Sequence, residues 1–452
     1  MKDLTEGSPG RLILRFATPM LIGNVFQQFY NIADSIIVGR FLGKEALAAV
    51  GASFPIIFLL VSFVIGITMG STIIIAQYFG AKDIPNVKRS IDTLYIVLFF
   101  TSILVGASGI IFSGTIFNLM NLPADVLPQA RIYLSVYLTG SIFFFGYNGI
   151  SAILRGLGDS KTPLYFLIIA TIMNVLLALL FVVVFKWGVA GAAFATVISQ
   201  GGAFFTGIIY LNRTHPIINL SWRKLHFDRE IFNKSLKIGL PSGIQQTFVA
   251  LGMMALMRVV NNFGTNTLAA YTAAGRIDSL AALPAMNFGA ALSTFVGQNL
   301  GAHKPERVKE GLKSTFIMAS VLAIATTLLV IVFKRSLMGL FTDDPLVIDI
   351  GVTYLVIISS FYIFFSSMFV IGGVMRGAGA TLIPMFITLF SLWIIRIPLA
   401  YILSSKIGVT GIWWAIPIAW FLGAVLSYIY YLQGNWKKKV VVKPALDLPE
   451  DI

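Results

Sequence analysis

The chain has 452 residues, 57% of them hydrophobic and only 12% charged, whereas soluble domains are about one-quarter charged; this is a composition for a bilayer rather than for water. Lys and Arg number 33 against 19 Asp and Glu, a formal net charge of +14, but the excess sits in short segments between apolar runs, and no extended soluble basic face exists for a nucleic acid to bind. Cysteine is absent, which excludes disulfides, thiol catalysis and cysteine metal sites.

Apolar runs of roughly 20 residues or more can cross a hydrocarbon core. They predict helices at 11–39, 46–79, 87–112, 126–154, 163–186 and 189–211, then at 238–262, 267–300, 308–333, 346–375, 384–405 and 409–432. The expected fold is an all-α integral membrane protein of twelve transmembrane helices in two pseudo-symmetric six-helix bundles. Residues 1–212 form the N-terminal lobe, 213–237 a basic cytoplasmic linker, 238–434 the C-terminal lobe and 435–452 a cytoplasmic tail. Ser8 and Pro9 read as a helix start. No cleavable leader is expected, because the first apolar stretch is itself long enough to span.

On the first helix Asn24, Gln27, Gln28, Asn31 and Ser35 recur at spacings of three and four, lining one face with Asp34 at its edge. Five polar groups on one face imply an aqueous cavity. Asp34 lies roughly 8 Å inside the outer end of that helix. An ionisable group at membrane depth calls for a reason; a carboxylate there can exchange a proton or bind a monovalent cation, the alternative being that it caps or pins a neighbouring helix. Pro19 removes a backbone hydrogen bond from the same helix and allows it to bend, as Pro241 does in the seventh.

Later helices offer partners: Tyr133 and Tyr137 on the fourth, Asn174 on the fifth and Thr196 on the sixth, residue types that also join packed helices by ordinary hydrogen bonds. In the second half, Asp278 on the eighth helix and Arg396 on the eleventh lie at similar depth. Opposite buried charges are tolerated when paired, so a structural or gating bridge is expected, against direct substrate contact by Asp278. Small-residue spacings at Gly66/Gly70, Ala76/Gly80 and Gly297/Gly301 are expected to let helices approach closely.

The halves repeat one another. ILRGLGDSKTP at 153–163 falls on VMRGAGATLIP at 374–384, FGAKDIPNVK at 79–88 on LGAHKPERVK at 300–309, and WGVAGAAFA at 187–195 on IGVTGIWWA at 407–415. Six spans per repeat place both halves the same way up, as parallel repeats about an axis along the membrane normal. Most of the 33 basic residues then fall on one side, which the positive-inside rule makes cytoplasmic, with both termini there.

Enzyme chemistry is missing. His215, His226 and His303 all lie in predicted loops, so neither a zinc site nor an intramembrane imidazole relay assembles. The segment GRFLGKE at 39–45 lacks the spacing and the hydroxyl that a phosphate loop needs. Asp343 and Asp344 have no second acidic cluster to hold a metal diphosphate. A pump without a nucleotide site has to draw on an ion gradient.

NIADSIIVGRFLGKEALAAVG at 31–51, AILRGLGDSKTP at 152–163 and ALSTFVGQNLGA at 291–302 resemble the multidrug and toxic compound extrusion (MATE) family, in particular its DinF-like branch, and the resemblance covers nearly the whole chain. It implies two six-helix lobes around a V-shaped cavity that opens alternately to each side. It implies export of drugs or organic cations across the inner membrane, coupled to inward proton or sodium flow, by a monomer with no cofactor beyond the coupling ion. Asp34 matches the family's coupling acid. Asn174, Thr196 and Tyr133 match polar positions of the same cation and substrate site, and Pro19 matches the first-helix bend. Gln27, Gln28, Asn31 and Tyr137 complete the substrate cavity expected beside Asp34. One position departs: relatives in the branch carry a second acid one turn after the Asn of the fifth helix, and this chain has Ala178. Sodium wants several oxygens and compensating charge, so the departure favours protons, with sodium at Asp34 the only metal to be considered. The alternative within the wider superfamily is a flippase for a lipid-linked sugar, whose cavity needs several cations facing pyrophosphate.

Overall fold

Helix is the only regular structure among the described residues, as it must be for an open-ended chain in lipid, where each backbone donor has to be satisfied within its own segment. The computed structural model describes residues 2–120, 122–214 and 225–442. His215, part of the expected linker and the end of the expected tail lie outside them.

In the first half α1 spans Pro9–Leu42, α2 Lys44–Gly80, α3 Ile84–Leu119, α4 Leu127–Thr139, α5 Ser141–Gly156, α6 Lys161–Leu179 and α7 Gly188–Thr214. The second half has α8 Arg229–Asn261, α9 Thr265–Gly301, α10 Pro305–Gly339, α11 Pro345–Ser359, α12 Tyr362–Gly377, α13 Leu382–Leu389, α14 Ile397–Ile407 and α15 Val409–Gln433. Nine spans among the described residues are long and apolar enough to cross a membrane, and α4 with α5 and α11 with α12 pass as bent pairs. With α1, whose polar stripe dilutes its apolar content, these make the twelve spans.

Three features depart from the sequence reading. The fourth and tenth spans, expected as unbroken helices, bend by 50° and 47° at Gly140 and at Ser360–Phe361. A Cβ on Gly140 would collide with Val197 of α7, so the first bend accompanies a close helix approach; at the second, Ser360 Oγ donates to Val356 O at 2.7 Å, a back-bond that bends helices. Secondly, α8 begins at Arg229, so residues 229–237 are helix rather than linker. Asp228 caps it, Oδ1 accepting from Glu230 N and Ile231 N at 3.0 Å each. Thirdly, the tail starts with a 3-10 turn at Asn435–Lys439 whose Trp436 is buried.

The internal repeat extends to the backbone. Left-handed residues recur in pairs: Gly43 and Gly264 (φ 88° and 89°), Lys82 and His303 (58° and 57°), Gly158 and Gly379 (80° and 89°), and Gly188 and Gly408 (61° and 67°). Each pair ends or starts corresponding helices.

Two compact units emerge: Met1–Lys2, Ile22–Ile75 and Asp83–Leu240 in one, Asp3–Leu21, Ala76–Lys82 and Pro241–Ile452 in the other. They differ from the sequence halves because α1, α2 and α8 each contribute to both. The division falls two residues after Pro19 in α1 and at Pro241 in α8, although both helices continue through their prolines.

Small residues let backbones meet inside each unit. In the first, a Cβ on Gly70 would strike Ser235 O and one on Gly239 would strike Gly66 O, so α2 and α8 touch there. In the second, repeat-related Gly80 and Gly301 abut Gln298 O and Gln77 O. Gln77 and Gln298 are themselves fully buried and hold chain ends: Gln298 Oε1 accepts from Leu4 N at 2.9 Å, Gln77 Oε1 from Val441 N at 2.7 Å, and Gln77 Nε2 donates to Gly377 O at 2.9 Å. Gly301→Ala drives a methyl into a carbonyl that cannot yield, and is expected to cost about 1–3 kcal/mol. A lowered unfolding midpoint in detergent is the predicted result, and an unchanged midpoint contradicts this packing.

Candidate ion and substrate sites

Within the first unit, Asp34 is 8% exposed, and its buried Oδ1 has no hydrogen-bond partner among the described residues. Tyr30, one turn earlier on α1, places its hydroxyl 3.0 Å from Thr196 Oγ1 of α7. Asn174 of α6 donates to the same oxygen through Nδ2 at 3.2 Å. Thr196 donates back to Ala192 O at 3.3 Å, so it serves Asn174 and Tyr30 as an acceptor. Asn174 is fully buried with Oδ1 also unpartnered. Tyr133 and Tyr137 of α4, stacked at 6.4 Å between centroids, lie within electrostatic reach of Asp34. Among the described residues no Lys, Arg or His comes within 4.0 Å of that carboxylate.

Chemically, this is a set of buried acceptors short of donors, and burying a lone carboxylate is costly until a proton or a cation neutralises it. Ala178 adds nothing polar. It is fully buried in an apolar cluster with Ile37, Val38, Tyr133 and Val182. The remaining stripe residues stand apart: Gln27 and Asn31 are exposed, Gln28 is half-buried, and none hydrogen-bonds to Asp34.

The second unit holds a different constellation. Asp278 on α9 is half-buried and accepts from Tyr354 of α11 at 3.4 Å. Tyr362 of α12 approaches the same carboxylate, but its hydroxyl lacks hydrogen-bond geometry to any group. Arg396, also half-buried, ends a π-helical stretch Phe390–Arg396 between α13 and α14. The expected Asp278–Arg396 bridge does not form. Among the described residues the two charges are not within the 4.0 Å of an ion pair; the Asp278 carboxylate is held instead by the Tyr354 hydroxyl. His226 and His303 lie in connecting segments, and no cluster of metal-ligating side chains exists among the described residues.

A profile of the MatE family matches residues 19–180 and again 241–402. The probable multidrug resistance protein YpnP of Bacillus subtilis is 36% identical, over 96% of this chain and 97% of that protein. YoeA of the same organism, also named a probable multidrug resistance protein, is 34% identical over 97% and 96%. The chain belongs to the MATE family. A solved multidrug resistance MATE transporter in its outward-facing conformation has the same fold, with a TM-score of 0.91 over 97% of this chain and 99% of that one, at 24% identity. MATE proteins are multi-pass membrane transporters and not enzymes, and so is this one.

Against that MATE frame, the structure brings Asp34, Asn174, Thr196, Tyr133 and Tyr137 into one neighbourhood and leaves Gln27, Gln28 and Asn31 outside it. Sequence reading missed Tyr30, which was one helical turn from the acid. It also missed Tyr354 and Tyr362, although Tyr354 is the repeat equivalent of Tyr133.

Proposed function

We propose that this MATE protein is a secondary active multidrug efflux antiporter of the cytoplasmic membrane, exporting cationic or amphipathic organic compounds in exchange for protons by alternating access. The observation that carries the reading is the buried Asp34 carboxylate, whose Oδ1, like Oδ1 of buried Asn174, has no hydrogen-bond partner among the described residues, with no basic side chain among them within ion-pair distance. Its relatives' names as multidrug resistance proteins support the substrate class.

Protonation of Asp34 removes a buried charge and changes which arrangement of the Tyr30–Thr196–Asn174 network is favoured. A ligand can bias a two-state protein only by binding its states unequally, and the proton supplies that inequality. Pro19, next to the division between units in α1, is the hinge through which the change reaches the rest of the helix. Gln27, Gln28 and Asn31 line the cargo path apart from the neighbourhood that holds Asp34, Tyr133 and Tyr137, and cargo leaves as the proton enters. The protein works as a monomer with both termini cytoplasmic, as the loop charges favour.

A fluorescent organic cation loaded into proteoliposomes tests this directly. Gradient-driven accumulation against the dye's own concentration is the expected result. Dissipative flux alone contradicts it, and translocation of a lipid-linked sugar without dye movement moves the protein to the flippase class.

A further inference from the structure

We propose that residues 3–7 are a clamp that makes the start of α1 a fixed part of the second unit, so that bending driven from Asp34 is confined to the helix beyond Pro19. The groups that hold this segment all come from the end of α9 and the start of α10. Gln298 Oε1 accepts from Leu4 N at 2.9 Å, and Asn299 Nδ2 donates to Leu4 O at 3.1 Å. Lys304 Nζ donates to Thr5 O at 3.2 Å, and Arg307 Nη2 donates to Gly7 O at 2.9 Å. The hooks brace one another: Arg307 Nε donates to Asn299 Oδ1 at 2.9 Å, and its guanidinium lies over the Phe295 ring at 5.8 Å. Their targets are main-chain groups of a non-helical segment, which needs outside partners once buried, and Leu4 and Thr5 are only 2% and 5% exposed.

Apolar packing extends the same attachment along α1. Ile13, Phe16 and Ala17 are buried in one cluster with Leu4, Phe295 and Val308. A Cβ on Gly10 would lie 3.3 Å from Ser314 Cβ of α10. Lifting the start of α1 therefore breaks four side-chain bonds to main chain and opens that cluster at once. Bending at Pro19 costs no hydrogen bond at the proline, which lacks the N–H that would bond to the preceding turn. The second unit takes the chain from Asp3 through Leu21, and the first resumes at Ile22, so Asp34 stands on the part of the helix that the clamp leaves free. A helix loose at both ends answers a force by tilting as a rod, whereas one pinned at its start bends at its weakest point.

The part played by Pro19 rests on the export reading, whereas the clamp does not. The test is a cross-link. The chain has no cysteine, so Gly10→Cys with Ser314→Cys introduces the only thiols, at a Cβ separation close to the roughly 3.5–4.5 Å of a disulfide. The oxidised pair is expected to transport dye as fast as its reduced form. Arg307→Gln combined with Lys304→Met, which removes two hooks at the edge of the cluster, should lower gradient-driven transport about tenfold, within the range of a lost coupling, and the cross-link should restore it. A cross-link that blocks transport until reduced, a pair that does not form, a hook variant with normal transport, or a loss that the cross-link leaves unrepaired overturns the clamp. Where the hook variant fails to fold, the cross-link in the otherwise native chain decides. Hydrogen exchange over residues 3–18 in detergent needs neither dye nor gradient: slow exchange in the native protein and faster exchange in the hook variant is expected, and equal exchange overturns the clamp. Native protein that is protected there but moves no dye removes the export reading alone.

Discussion

Asp34→Asn is expected to lower gradient-driven dye transport roughly 100-fold, the upper range of a coupling free energy of 1–3 kcal/mol, while leaving the fold intact. Asn matches Asp in size and keeps an acceptor oxygen in place, but it cannot alternate between charged and neutral forms. The carboxylate Oδ1 has no donor to lose, so the substitution breaks no hydrogen bond and removes a buried charge that nothing pairs. Stability should therefore hold or rise, since removing an uncompensated charge from a low-dielectric site is favourable. Transport and thermal unfolding measured on the same preparation read both halves of the prediction. A variant that transports normally takes Asp34 out of the mechanism, and one that unfolds makes the residue structural.

Ala178→Asp is expected to have the second largest effect, with a sign that depends on sodium. Ala178 is fully buried among Ile37, Val38, Tyr133 and Val182, and an added carboxylate there enters an apolar cluster. In sodium-free buffer the cost should be several kcal/mol. If the new acid and Asp34 together form a cation site, sodium at 100 times its Kd restores about 2.7 kcal/mol. Thermal unfolding in choline and in sodium chloride at equal ionic strength measures the difference. A sodium-specific rise in the variant, absent from the native protein, is the predicted pattern. A native protein that sodium already stabilises contradicts the reading of Ala178 as the reason for proton preference.

Much of the fold was legible because lipid enforces it. Twelve apolar runs and one repeated half leave few alternatives when each span must satisfy its own backbone, and the paired left-handed residues such as Lys82 and His303 show the duplication persisting where the side chains have diverged. The bends at Gly140 and Ser360–Phe361 were not legible, since the polar steps there, Thr139 to Ser141 and Ser359 to Ser360, are too short to divide an apolar run of spanning length. The sharing of α1, α2 and α8 between the units depends on contacts far apart in sequence, such as Gln298 with Leu4, which no local pattern announces.

Site legibility split in the same way. Asp34 stood out as a charge on a polar face of an otherwise apolar helix, and Asn174 and Thr196 as polar residues on later apolar helices that also match a family pattern. Gln27 and Asn31 share the stripe with Asp34, yet helical periodicity alone could not tell the buried edge from the exposed centre. For Asp278 and Arg396, counting residues along two helices suggested a bridge that does not form, and the π-helical turn ending at Arg396 shifts the register on which such a count relies.

The coupling claim is tested most directly by reconstituting the native protein and imposing a proton gradient and a sodium gradient separately, each with the membrane potential clamped. Dye movement driven by the proton gradient alone, with no response to sodium, is the predicted result. Movement driven by sodium at uniform pH, with none under the proton gradient, would contradict a proton on Asp34 as the source of transport energy.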